Sequence, residues 1–424
     1  MVAPVEWMRT TYRREYDRNP VFTSFLTILI LSFIIFVIAI ALTGGDTMYN
    51  ALIVDHNDTF MDHFNSIMYS YDHPYTKWKV MYPPLITLFY SIMGHFTVPF
   101  TDVLPGQTLA FALRDSHMGL MSLLLIVLII FFILRLIFSK IVKEKGIRKE
   151  LMFIFAVLLA APFIFAVERG NSILMALVFC FIFLLGYRSE NKIIRYASYI
   201  ALGCAAGIKL YPAMLLLLIL RDRNYKEAGI CAAIVAALIF VPFIFTDGNP
   251  IMLFDTAFSS VPKKSGVVNI GQLMTRLLSA ATDLSQSTVS VISYAVVGLF
   301  TLISAIVILF DREMKFWKVV ALLSCNLVLG FGVGAQYLFI YMSMPIFLFL
   351  SAEREMTREN IFYVICLAAT MILIPGVGIN SQINIRAIES AFTIILAAAL
   401  IGEGLMRIYR RRSAERPADT AAGT

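Results

Sequence analysis

The chain has 424 residues, 59% of them hydrophobic and only 15% charged, with a mean hydropathy of +0.80 and a formal net charge of +7. A soluble domain cannot bury so much apolar surface, so composition excludes a soluble globular protein; no hydrophilic block is long enough for a separate soluble catalytic domain. In such a chain an excess of Lys and Arg reads as membrane topology rather than as a nucleic-acid surface.

The first apolar run, Phe25 to Leu42, follows the basic stretch TTYRREYDR. Its length and the lack of a small-residue cleavage site predict a retained helix over 24–43 rather than a signal peptide. A polar loop, 44–117, comes next and contains FMDHFNSIMYSYDHPYTKWKVMYPPL, from Phe60 to Leu85. Within it, the stretch 84–98 is apolar but is predicted to lie in or dip into the interface, because a crossing there would invert every later loop. Further spans are predicted at 118–138, 151–167, 171–187, 195–208, 210–220, 228–246, 288–310, 316–333, 336–351, 360–375 and 385–406. The pair 195–208 and 210–220 reads as two short half-spans meeting at Lys209-Leu-Tyr-Pro212, since proline disturbs a helix interior and interrupted membrane helices line cavities. A second long loop covers 247–287, and the polar tail 411–424 is expected to be disordered.

About twelve spans put both termini on one side. With the N-terminus cytoplasmic, 25 of the 35 Lys and Arg fall in cytoplasmic segments, nine on the opposite side and Arg135 within a helix. The reading is therefore one all-α polytopic membrane domain over 1–410, with loops 44–117 and 247–287 on its outer face and interfacial helices among them. Cys180, Cys204, Cys231, Cys325 and Cys366 all lie in apolar runs without metal-ligand spacing and are expected to be buried and unpaired.

All five His (His56, His63, His73, His95 and His117) fall in the first loop, with Asp46, Asp55, Asp58, Asp62, Asp72, Asp102 and Asp115. No H-x-x-x-H or H-E-x-x-H spacing occurs, so loop polarity and substrate contact are expected rather than a metal. Asp62 sits beside Phe60, Met61, His63 and Phe64. A carboxylate in apolar surroundings at an interface is poorly hydrated, which suits a general base; the alternative is an interfacial helix with one wet residue. Cations at the outer ends of apolar runs, Arg169, Lys209 and Arg386, are costly at membrane depth and suit a phosphate, as do Arg276 and the Lys263-Lys264 pair of the second loop. Glu168 is the obvious ion-pair alternative for Arg169. Tyr71, Tyr75, Trp78 and Tyr82 read either as an interfacial aromatic belt or as surfaces for sugar rings.

Taken together, MDHFNSIMYS and MYPPL in the first loop, ERGNSILMAL opening a helix, AAGIKLYPAMLLLLIL and GAQYLFIYMSMP resemble the GT-C glycosyltransferases, and among them glycosyltransferase family 87, which includes α-mannosyltransferases. The resemblance implies inverting transfer of a sugar, mannose above all, from a polyprenyl-phosphate donor to a glycolipid or cell-envelope polysaccharide at the outer face. It implies a lipid-phosphate sugar rather than a nucleotide sugar as donor, so no cofactor is expected. The catalytic base falls on Asp62 by its place in MDHFNSI, with Asp55 and Asp58 close enough to compete. Substrate contacts fall on His63, Tyr82, Arg169, Asn171 after Gly170, Lys209, Tyr211, Arg276, Gln336, Tyr337 and Arg386.

Two other classes fit a polytopic chain with outer cations: a flippase or transporter of a lipid-linked sugar, and an O-antigen-ligase-like enzyme. A transporter commonly carries internal repeats, and none is visible here. The topology predicts that Cys introduced at His73 and at Lys263 in a cysteine-free background react with a membrane-impermeant maleimide from the same side. Labelling from opposite sides overturns the whole span count.

Overall fold

The computed structural model describes residues 18–53, 55–260, 268–330, 335–376 and 381–414. Lys263, Lys264 and the tail beyond Ala414 lie outside them. The described chain is helical throughout, with no strand.

In chain order the labelled helices are α1 (Pro20–Leu42), α2 (Met61–Tyr71), α3 (Pro84–Thr97), α4 (Leu109–Asp115), α5 (His117–Ile141), α6 (Ile147–Phe153), α7 (Ala161–Arg169), α8 (Ile173–Gly186) and α9 (Lys192–Ile208). They continue as α10 (Leu217–Arg221), α11 (Tyr225–Phe240), α12 (Pro250–Ser260), α13 (Ile270–Ala281), α14 (Gln286–Phe310), α15 (Phe316–Leu329), α16 (Ser343–Ala352), α17 (Arg358–Ala369) and α18 (Ser381–Ala414).

Among the described residues five helices are long and apolar enough to cross a bilayer: α1, α5, α11 with its extension to Phe245, α14, and α18 over Ile385–Arg411. The bent pair Ile147–Leu158 and Ala161–Arg169, kinked by 50°, has the length and composition of a sixth when taken as one broken span. The 25 residues of α5 and of α14 reach about 37 Å each, against a hydrocarbon core of about 30 Å. Side-chain oxygens close their first turns: Asn19 accepts from the Phe22 amide, Ser116 from Gly119 and Ser285 from Thr288. The other predicted spans are shorter pieces. Ile173–Gly186, Tyr211–Arg221, Phe316–Leu329 and Gln336–Ala352 each have fewer than 18 residues. Residues 84–97 form the short α3, packed against α2, and a 3₁₀ turn follows at Val98–Phe100. The tail is helical as far as Ala414.

Burial separates centre from rim. α15 is buried from Trp317 to Leu329 and packs on α16, α18, α14 and the 3₁₀ turn Gln336–Met342. α1, α5 and α14 instead expose Leu31, Ile35, Leu125, Phe132, Leu299 and Leu302, the apolar faces that lipid covers. Four of the five Cys are buried and none is paired.

The basic loops form one end of the bundle. Arg188 grips Asp222 at 2.7 and 2.8 Å, and Arg195 meets Glu227 at 3.2 Å. Arg221 donates to the carbonyls of Ile308, Asp311 and Met314, and Arg407 pairs with Asp311 at 2.8 Å. Lys318 joins Glu403 at 2.8 Å and also holds Glu359. These bonds satisfy loop carbonyls and carboxylates that lie just beyond the apolar stretches.

At the other end lie the α7–α8 turn, the break after α9, and the 3₁₀ turn Gln336–Met342, which contacts α7 and α8 and meets the break through the Tyr211–Tyr341 ring pair. Here α2, α3 and α4 pack together, and α2 also rests on α7. Loop 72–80 is fixed to the start of the second loop. The Asp247 carboxylate accepts from the backbone amides of Tyr75 (3.1 Å) and Thr76 (3.0 Å) and from the Thr76 hydroxyl (2.5 Å). Partial burial raises the Asp247 carboxyl, but these donors outweigh it and hold it below the usual carboxylate range. Tyr75 is a buried rivet rather than an exposed ring: it packs on Phe243 at 5.3 Å and donates to the Tyr82 carbonyl at 2.7 Å.

Asp247→Ala removes three donors' common acceptor. Charge-assisted bonds contribute about 1.5–3 kcal/mol, so opening of loop 72–80 is expected to rise roughly ten- to hundredfold. Limited trypsin digestion after Lys77 and Lys79 measures it, and an unchanged cleavage rate would refute the anchoring role.

Candidate functional site

The site is built where the N-terminus of α2 docks on the turn between α7 and α8. Phe60 stands before α2 in the left-handed region, at φ 63°, where a bulky residue is strained. Its backbone N–H donates to the Glu168 carbonyl at 2.6 Å, and the Thr59 hydroxyl donates to the Glu168 carboxylate at 2.9 Å. These bonds hold the strained turn and place Asp62 in the first turn of α2.

The α7–α8 turn needs its glycine twice over. Gly170 has φ 64°, and a Cβ there would lie 2.9 Å from the His63 Cβ and 3.1 Å from the Phe60 carbonyl. The next residue, Asn171, accepts the Ile173 amide on Oδ1 at 2.9 Å, which leaves its Nδ2 to donate to Asp62 Oδ2 at 2.7 Å. Arg169 spans two carboxylates: Nη2 to Asp62 Oδ1 at 3.1 Å and Nη1 to Asp58 Oδ2 at 2.9 Å. Asp62 thus accepts one bond on each oxygen and keeps a free lone pair on both, while its side chain stays 21% exposed. The apolar setting expected around it is replaced by a guanidinium and an amide, and Arg169 takes Asp58 and Asp62, not Glu168, as its partners.

His63 points the other way. It is buried, its Nε2 lies 3.0 Å from Ser122 Oγ, and that hydroxyl donates to the Gly119 carbonyl at 2.7 Å. The serine proton is therefore committed, and the imidazole donates from Nε2. Burial pushes His63 down to about 4, so it is neutral at neutral pH. Its ring packs edge-on against Tyr90 at 5.5 Å and bolts α2 to α5. Asp55 is exposed and caps the short turn before α2 through the Asn57 amide.

The break after α9 supplies the second half of the site. Lys209 is extended (φ −140°, ψ 126°), and Pro212 follows in a 3₁₀ turn. The Lys209 side chain is 9% exposed, and its Nζ lies 4.2 Å from the centre of the Tyr82 ring, a cation–π contact. Among the described residues no carboxylate lies within 4.0 Å of it; the charge acting on it is that of Asp62. Burial raises the Tyr82 phenol well above its ordinary value, so it remains a neutral hydroxyl.

Other predicted residues fall around these. The Tyr337 hydroxyl lies within electrostatic reach of Asp62, Arg169 and Arg386, and its ring stacks on Phe165 at 6.1 Å. The Arg386 guanidinium lies 5.5 Å from the same Phe165 ring. Tyr211 packs edge-on to Tyr341. Gln336 is buried and donates to Glu389 at 2.9 Å. Arg276 is exposed on α13 and is not brought into the group. Glu389 and Phe165 went unpredicted. Glu389 carried a signal, a carboxylate inside an apolar run three residues after Arg386; Phe165 carried none among so many Phe. Among the described residues no group of three or more His, Cys, Asp or Glu is placed to hold a metal.

The arrangement offers a carboxylate that can take a proton at Asp62 and a buried ammonium at Lys209 within its electrostatic reach, suited to an anion. The model of glycosyltransferase family 87 matches residues 81–335, that is 255 of 424. The match takes in Tyr82, Arg169, Asn171, Lys209, Tyr211 and Arg276; Asp62 precedes it, and Gln336, Tyr337 and Arg386 follow it. No curated protein and no solved structure shows a significant match.

Gly170→Ala tests the docking. The left-handed backbone alone disfavours a Cβ by about 1–2 kcal/mol, and the His63 contact adds to it. A lowered melting temperature in detergent is the expected result; a wild-type melt would mean that α2 does not rest on this turn.

Proposed function

The chain belongs to glycosyltransferase family 87, and from that membership and the setting of Asp62 we propose that it transfers a sugar from a polyprenyl-phosphate donor to a glycolipid or cell-envelope glycan, with inversion at the anomeric carbon. Mannose is the first donor to test. The observation that carries this reading is the Asp62 carboxylate, fixed by Arg169 at 3.1 Å and Asn171 at 2.7 Å, with the buried Lys209 ammonium acting on it electrostatically.

The roles follow from charge. An acceptor hydroxyl gives its proton to Asp62 as its oxygen attacks the anomeric carbon. The bond from that carbon to the phosphate oxygen breaks, and the lipid phosphate leaves with the electron pair. Arg169 already faces two carboxylates, so it serves mainly to orient Asp62. Lys209, which has no carboxylate within 4.0 Å among the described residues, is the better cation for the departing phosphate, with Arg386 beside Phe165 as a second. No nucleotide sugar and no cofactor enter the scheme.

In this reading the site faces the extracytoplasmic side of a cell membrane and both termini are cytoplasmic. The asymmetry of Lys and Arg supports that orientation. Short helices in the inner ring complete about twelve passes, and the interrupted ends give a long lipid lateral access from the bilayer.

Asp62→Asn keeps size and hydrogen bonding but removes the proton acceptor. Transfer from a labelled polyprenyl-phosphate sugar is expected to fall by about 10²–10⁴, with donor binding retained. Asp55→Asn, on the exposed turn, is the control and keeps its activity. Lys209→Ala is expected to lose donor use, with Lys209→Arg rescuing only in part because a fork replaces a point charge. Normal turnover by Asp62→Asn would end the proposed mechanism.

A further inference from the structure

Beside the Asp62 site lies a second, open cleft of about 820 Å³, within the range of roughly 300–1,000 Å³ typical of small-molecule sites. Its floor is one face of α2, with Met61, Asn65, Met68 and Tyr69 spaced four, three and one residues apart so that they line up along the helix, and Asp72 just past the helix end. Asp62 lies one step around the same helix, on the Arg169 side. The opposite wall comes from Lys77 and Trp78 of loop 72–80.

We propose that this cleft holds the neutral sugar units of the acceptor that lie behind the reacting hydroxyl. The inference rests on the glycosyltransferase reading and names the acceptor's side of it. Four observations carry it. The first is an aromatic platform: Trp78 is 37% exposed, packs on Tyr69 at 5.0 Å, and has the Lys77 ammonium 5.1 Å from its ring centre. Such a ring offers an apolar face to sugar C–H groups beside a polar rim.

The second is rigidity. Lys77 is tied to Asp72 at 2.6 Å, and loop 72–80 is anchored by Asp247. Within it His73 and Lys79 are both held at φ 50°, a strained backbone of the kind found at ligand clamps. The third is charge. Lys77 is balanced by Asp72, and Asp58 adds a carboxylate, so the lining favours neutral hydroxyl-rich units over anionic sugars. The fourth is continuity. Asp58 lines the cleft and shares Arg169 with Asp62, so a glycan lying along α2 points its end at the base.

The test is binding of the full-length chain in lipid nanodiscs to an array of immobilised neutral and acidic oligosaccharides. Neutral oligosaccharides are expected to bind and acidic ones to bind weakly. Trp78→Ala is expected to weaken binding on the order of tenfold by removing the stacking face, and Trp78→Tyr to restore most of it. Asn65→Ala, on the helix floor, weakens it with α2 intact. Asp62→Asn still binds, because the base does not hold the distal units. No binding to any neutral oligosaccharide, a preference for acidic ones, or wild-type binding by both Trp78→Ala and Asn65→Ala overturns the proposal. Glycan binding without transfer from any polyprenyl-phosphate sugar would instead count against the donor chemistry and leave the cleft standing.

Discussion

Everything at the polar end of this molecule depends on Arg169 reaching two carboxylates from the end of a membrane-embedded helix. The guanidinium is a rigid fork, and one arm goes to Asp58, the other to Asp62. That geometry requires the first turn of α2 to lie directly on the α7–α8 turn, and only a glycine at 170 leaves room for it. The strain at Phe60, the Glu168 carbonyl that accepts its N–H, and the Asn171 amide on the far oxygen of Asp62 all follow from this one docking. The result is a carboxylate with fixed orientation and free lone pairs, held at the boundary of an apolar bundle.

The same logic explains why the inner helices are short. Backbone groups freed by a break cannot face lipid, so breaks gather where protein or a wet cavity receives them. Here the Lys209–Pro212 break and the 3₁₀ turn at Gln336 meet through Tyr211 and Tyr341, while the long unbroken helices α1, α5 and α14 expose apolar faces on the rim. The division matches composition: the long helices carry apolar exposed faces, and the short ones carry the Arg, Lys and Gln that reach inward.

Charge pairing also sorts the cations into roles. At the basic end, Arg188, Arg195, Lys318 and Arg407 each have a carboxylate partner, as stability requires of groups near hydrocarbon. At the site end Arg169 is doubly paired, while Lys209 has an aromatic face and a distant carboxylate. A buried ammonium with no carboxylate within 4.0 Å among the described residues is suited to an anion that comes and goes, which is why the proposed phosphate role falls on Lys209.

The sequence by itself determined the class of the protein: an all-helical membrane chain, the two long loops, the break at Lys209, and the resemblance to family 87 carried by MDHFNSI, ERGNS and IKLYP. These are local or compositional signals, carried by periodicity, proline and motif. What only the tertiary structure decided was partnership. Glu168 adjoins Arg169 in sequence but receives Thr59, whereas Arg169 crosses more than a hundred residues to Asp62. His63, one residue from Asp62, turns into the core because successive helix positions point about 100° apart. An apolar run of 14 residues, such as α8 or α15, is too short to be identified as a full crossing by its length. Arg276 looked like its fellow cations by composition and stands apart in space, since nothing in a charged residue's identity says which way its helix faces.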